Sequence, residues 1–165
     1  MPNAQCSFGQ RVSARYLHAL VVVASCLKHW TPRIAVTKNR VALQDIGWSF
    51  VGGRFRDRGS FEDSLRRYQV RLGNPDTLEP GELAILSPVI RVQFMCWDGD
   101  EQIEPVVTFT AENGVAFSVG DLLFQLHNAV VEKLEGMDHH FFEGLALVSS
   151  PASEPTPLYR LRQGS

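Results

Sequence analysis

Apolar side chains recur along this chain at two periods, and each change of period marks a new element. In "VIRVQFMCW" (89–97), Ile90, Val92, Phe94 and Cys96 alternate with Arg91, Gln93 and Met95, which predicts a strand with one buried face. Asp98-Gly99 is a hairpin signal, "PVVTFTA" (105–111) predicts the returning strand, and Asn113-Gly114 marks a second turn. The period then lengthens. Val119, Leu122, Leu123, Leu126, Val130 and Leu134 form a helical stripe, with Ser118 as the cap, Asp121 in the third position and Gly136 as the stop.

An earlier helix is signed by Ser60 and Asp63 in capping-box positions. Phe61, Leu65, Tyr68 and Leu72 give its period, and Gly73-Asn74-Pro75 ends it. A further helix is predicted over 12–28, with Tyr16, Leu17, Leu20, Val21, Ala24 and Leu27 on one stripe. "VALQDIGWSFVGG" (41–53) predicts a single strand whose apolar face is Ala42, Ile46, Trp48 and Phe50. "DTLEPGELAILSP" (76–88) reads as a loop with room for one helical turn. "HHFFEGLALVSS" (139–150) reads as a strand and "LYRLRQ" (158–163) as a last one, with Arg160 and Arg162 toward solvent. The order α, β, α, β, β, α, β, β predicts an α+β fold: a mainly antiparallel, curved sheet of about five strands packed with two or three helices. The 165 residues are expected to form a single domain, 1–165.

Composition adds two points. The 44% hydrophobic and 21% charged content is that of a globular chain, but the net charge of −2 hides segregation. Residues 28–71 carry ten Lys/Arg against four Asp/Glu, whereas residues 72–143 carry only Arg91 and Lys133 against thirteen acids. Complementary fields are expected either to pack one stretch on the other or to join two copies. The basic cluster "GGRFRDRGS" (52–60) is interleaved only by Phe55, and the chain is not basic overall, so no nucleic acid partner is expected. Cys6, Cys26 and Cys96 are widely spaced with no CxxC pair, which indicates neither a zinc knuckle nor a disulfide framework and fits a cytoplasmic setting. Arg11, Arg15, the apolar run 17–24 and Val23-Ala24-Ser25-Cys26 resemble the layout of an exported lipoprotein. His18 interrupts that run, so a structural helix is preferred; the run is too short to span a membrane.

The densest chemistry lies in "MDHHFFEG" (137–144). As a strand, this stretch places His139, Phe141, Glu143, Leu145 and Leu147 on one face and His140, Phe142, Gly144, Ala146 and Val148 on the other. His139 and Glu143 then stand roughly 13 Å apart, too far to share an ion, so no metal site is expected from this stretch alone, and acid–base chemistry here would need no cofactor. A composite acid–base site would need His139 or His140 to meet His127, Asp45, Glu112 or Asp121. The plainer expectation is that Asp138 and His139 finish a turn, His140 bonds a backbone carbonyl, and the phenylalanines fill the core. Cys26 and His29 would be neighbours on a helix, where packing is the simpler role. No GxGxxG, GxxxxGK[ST], HExxH or GxSxG occurs.

Two functions follow as expectations. The first is a small binding or protein-interaction domain, a homodimer or partner of another protein, joined by sheet edges or charged faces. The second is a cofactor-independent acid–base enzyme of isomerase, dehydratase or cyclase type. Its polar groups would be Asp45, His127, His139, His140 and Glu143, and Trp48, Phe94, Phe109 and Phe141 would line a pocket for a small apolar ligand.

Overall fold

The computed structural model describes residues 41–76, 78–148 and 156–165. The predicted helix over 12–28, the lipoprotein-like box and the Cys26/His29 pair lie outside the described residues. The elements in chain order are β1 (Val41–Ala42), β2 (Trp48–Ser49), α1 (Arg58–Arg71), β3 (Leu83–Ile85), β4 (Val89–Gln93), β5 (Cys96–Asp98) and β6 (Glu101–Ile103). They continue with β7 (Val106–Thr110), β8 (Phe117–Ser118), α2 (Val119–Val130), β9 (Phe141–Val148) and β10 (Leu158–Gly164).

The fold is mixed α+β. Six strands form the main sheet in the order β1-β9-β10-β4-β7, with β2 also paired to β9. Every pairing is antiparallel except β10 with β4. β5 and β6 make the hairpin expected at Asp98-Gly99, and β3 pairs with β8. The loop expected over 76–88 therefore contains a strand, held because Leu83 and Ile85 find partners at Ser118 and Phe117.

The sheet has six strands because 41–53 is broken in two. Leu43 adopts a positive φ of 60°, and the chain turns between β1 and β2 before rejoining β9. Opposite the break, Gly144 has φ 109°, and a Cβ there would stand 2.8 Å from the Ala42 carbonyl oxygen. Only glycine fits that backbone and that approach. The same kink disturbs the alternation expected along β9. Phe142 and Leu145 are buried on the core side although they were placed on opposite faces, while Phe141 and Leu147 are exposed.

Both helices lay their apolar stripes on the inner face of the sheet. Phe61, Leu65, Leu122, Leu123, Leu126, Val130 and Leu134 are buried together with Ile90, Val92 and Phe94. In α2 the cap is as expected: the Ser118 hydroxyl accepts the Asp121 N–H at 3.3 Å. In α1 the cap is Asp57 rather than Ser60. The Asp57 carboxylate accepts the Ser60 N–H at 2.8 Å, and the Ser60 hydroxyl donates back to the Asp57 carbonyl at 2.9 Å. Those bonds hold the Asp57 carboxyl below the usual carboxylate range.

Three side-chain amides hold irregular backbone to the core. Asn128 bonds both the N–H and the carbonyl of Phe55 (2.9 and 3.0 Å), and Gln163 does the same for Met95 (2.9 and 3.1 Å). The buried Gln69 clamps Gly47 in the same way. Each gives a loop residue, in place of a ladder partner, one donor and one acceptor for its backbone groups. Charge segregation is likewise resolved in part within the chain: Arg54 pairs with Glu132 at 3.0 Å, and Arg58 pairs with Glu112.

Candidate functional site

His127 occupies the deepest position of the five candidate polar residues. It extends the α2 stripe by one place, at four residues from Leu123 and three from Val130, and is fully buried. The Trp48 indole N–H donates to its Nδ1 at 3.1 Å, so Nδ1 must be the unprotonated nitrogen. Its Nε2 therefore carries the proton and donates to the Gly53 carbonyl at 3.1 Å. The rings of Trp48, Phe50, Phe55 and Phe61 surround the imidazole at centroid distances of 5.0 to 6.2 Å. Burial pushes its proton affinity below the ordinary value, against a smaller upward pull from the Gly53 carbonyl. A neutral imidazole with both nitrogens spent pins the loop after β2 onto α2, and no lone pair is left to take a proton from a substrate.

The neighbouring candidates lie elsewhere. His140 Nδ1 bonds the Met137 carbonyl at 2.6 Å, and its ring packs on Phe141 with centroids 4.4 Å apart. His139 is exposed, one residue earlier, and its backbone carbonyl accepts from Gln163. Glu143 is exposed on β9 with its carboxylate 4.0 Å from Arg162. Asp45 is exposed in the turn between β1 and β2 and shares one surface depression with Glu143, Arg162 and Phe142. Asp121, the other buried acid of α2, accepts from the Glu112 N–H and from Gln125 (3.1 and 2.6 Å). The fold thus brings Asp45 near Glu143 and leaves His127, His139 and His140 in three different surroundings.

The four aromatics expected to line a pocket divide in the same way. Trp48, Phe94 and Phe109 are packed in the core, whereas Phe141 is 37% exposed. Cys96 is buried, and burial raises its thiol above the ordinary range, which makes it a poor nucleophile. Among the described residues, no three His, Cys, Asp or Glu gather as metal ligands, and no helix is long and apolar enough to cross a membrane.

The described surface includes a strand edge. β7 lies at the end of the sheet and pairs only with β4 among the described residues. Its register sets Ile90 opposite Phe109 and Val92 opposite Val107. The Ala111 N–H donates to the Pro88 carbonyl and the Phe94 N–H to the Pro105 carbonyl (2.9 and 3.2 Å), which fixes the phase of the ladder. Val107 and Phe109 thus turn both backbone groups toward β4, and Val106, Thr108 and Thr110 direct theirs outward. The Thr110 carbonyl accepts from Gln125 at 3.0 Å. The strand carries no charged residue and no proline, the two commonest devices that blunt an edge. The uncharged run 106–111 carries that signal in the sequence.

No protein-family model, curated protein or solved structure matches this chain.

Proposed function

We propose that this chain is a protein-interaction domain that self-associates by extending its sheet through β7. The observation that carries the reading is the uncharged edge Val106–Thr110 with outward-directed backbone groups. A second copy laid antiparallel about Thr108 places Thr108 against Thr108 and Val106 against Thr110. Those threonine and β-branched pairs suit a strand interface. The outward N–H and C=O groups of both edges then pair with each other, the Thr110 carbonyl taking this bond on its second lone pair beside the one from Gln125. The next pair outward sets Glu104 against Glu112, two carboxylates already paired to Arg160 and Arg58. A buried free cysteine fits the cytoplasmic setting expected for such a domain.

The alternative, a cofactor-independent acid–base enzyme, needs His127, His139, His140, Glu143 and Asp45 to act together. They have little support as a unit, because the most buried of them spends both ring nitrogens on structure.

Sedimentation velocity tests the edge. Wild type is expected to dimerise with a constant that is steady or slightly tighter as salt rises, since hydrogen bonds hold the contact and the flanking charges are alike. Thr108→Lys places two ammonium groups face to face and is expected to give monomer. A dimer that survives Thr108→Lys, or one that dissociates steeply with salt, contradicts the reading.

A further inference from the structure

The geometry points to a second interaction surface: we infer that the turn between α2 and β9 docks a cationic amphipathic segment of another protein. Two depressions flank this turn and share Gly136 and Met137. One, of about 480 Å³, is lined by Phe50, Val51, Val131, Leu134 and His140. The other, of about 380 Å³, runs from Met95 and Trp97 on the β5 side to Asp138 and His139. An occupant of both must extend across Met137, which favours a chain segment with two apolar anchors over a compact small molecule. Trp97 is 51% exposed and Val51 is 59% exposed. A solvent-facing tryptophan beside two methionines is the kind of adaptable apolar surface that accepts an amphipathic partner.

Charge selects the partner's sign. Glu135 and Asp138 lie on the turn, and Asp98, Asp100 and Glu101 form the tip of the β5–β6 hairpin next to Trp97. None of these five carboxylates makes an ion pair with a described residue; the ion pairs go to Glu62, Asp63, Glu104, Glu112, Glu132 and Glu143. Lys133 is the single Lys or Arg in the 131–140 segment. The first depression has an apolar floor bordered by Glu135, and the second sets Met95, Trp97 and Met137 beside Gln102, Asp138 and His139. Apolar positions next to acids without an ion-pair partner among the described residues are complementary to a segment carrying Lys or Arg between apolar anchors. This surface is separate from the β7 edge and does not depend on it.

The test is fluorescence anisotropy of a labelled Lys/Leu amphipathic peptide and of its Glu/Leu counterpart on the full chain. The Lys/Leu peptide is expected to bind, and its affinity to fall as salt rises. The Glu/Leu peptide is expected not to bind. Trp97→Ala is expected to weaken binding by about tenfold or more. The charge-reversed double variant Glu135→Lys/Asp138→Lys is also expected to weaken binding, and Thr108→Lys to leave it unchanged. Three results would overturn the inference: no binding of the Lys/Leu peptide, equal binding of both peptides, or undiminished binding in both surface variants. A shift of sedimentation mass in Trp97→Ala would instead make this face a contact between copies of the chain and would overturn it as well.

Discussion

His127 lies on α2 and His140 directly before β9, and the fold uses these two histidines in opposite ways. His127 is fully buried, gives its Nε2 proton to Gly53 and accepts from Trp48, so that its loss would strand two partners at once. His140 is half-buried, bonds one carbonyl within its own turn and borders a depression open to solvent. The contrast separates a sealed interior from an exposed surface. On the core side of the sheet, His127 is sealed among aromatic rings and holds the loop after β2 in place. Outside it, among the described residues, β7 directs the backbone groups of Val106, Thr108 and Thr110 outward, and the turn beyond α2 is flanked by exposed Val51 and Trp97.

The largest effect that would break this comparison is at His127. His127→Ala leaves the Trp48 N–H and the Gly53 carbonyl without partners and opens a cavity among four rings. A loss of about 3–5 kcal/mol in urea unfolding is expected. A loss under about 1 kcal/mol would show that the imidazole is not integral to the core.

The pH dependence sharpens the same point with a defined sign. The folded value of His127 lies below its ordinary value of 6.5, so below pH 6.5 the unfolded chain binds more protons than the folded one. Stability is therefore full above pH 6.5 and falls as the pH drops toward the folded value, at up to about 1.4 kcal/mol per pH unit. Urea unfolding between pH 7 and about pH 5 is expected to show this fall in wild type and in His139→Asn. A flat profile would mean that the buried ring accepts a proton without penalty.

The smallest effect belongs to the turn. His140→Ala removes one hydrogen bond within it and is expected to cost about 0.5–1.5 kcal/mol. A cost equal to that of His127→Ala would erase the distinction between the two regions.

Much of this arrangement was legible because its causes are local. The alternation Ile90, Val92, Phe94, Cys96 is the buried face of the chain from β4 into β5, and the stripe from Val119 to Val130 is buried along α2. The helix ends there, six residues before the expected stop at Gly136, and Leu134 is buried from the turns that follow. The hydrogen bond of His140 to a backbone carbonyl also followed from its neighbours. What escaped was set by distant partners. Asp57 takes the α1 cap from Ser60 through a reciprocal pair of bonds, which the capping-box spacing concealed. The break at Leu43 and the kink at Gly144 exist because two segments about a hundred residues apart meet there. The parallel pairing of β10 with β4 joins the end of the chain to its middle, and no local pattern encodes it. His127 could have been recognised as a core residue from its spacing to Leu123 and Val130, but its partners Trp48 and Gly53 lie more than 70 residues away.

The most direct measurement is residue-resolved amide hydrogen exchange along β7 at low and high protein concentration. The Val107 and Phe109 amides, turned toward β4, are expected to be protected at both. The Val106, Thr108 and Thr110 amides are expected to exchange rapidly when dilute and to gain protection as concentration rises. Exchange at those three positions that is equally fast at every concentration would contradict self-association through this edge.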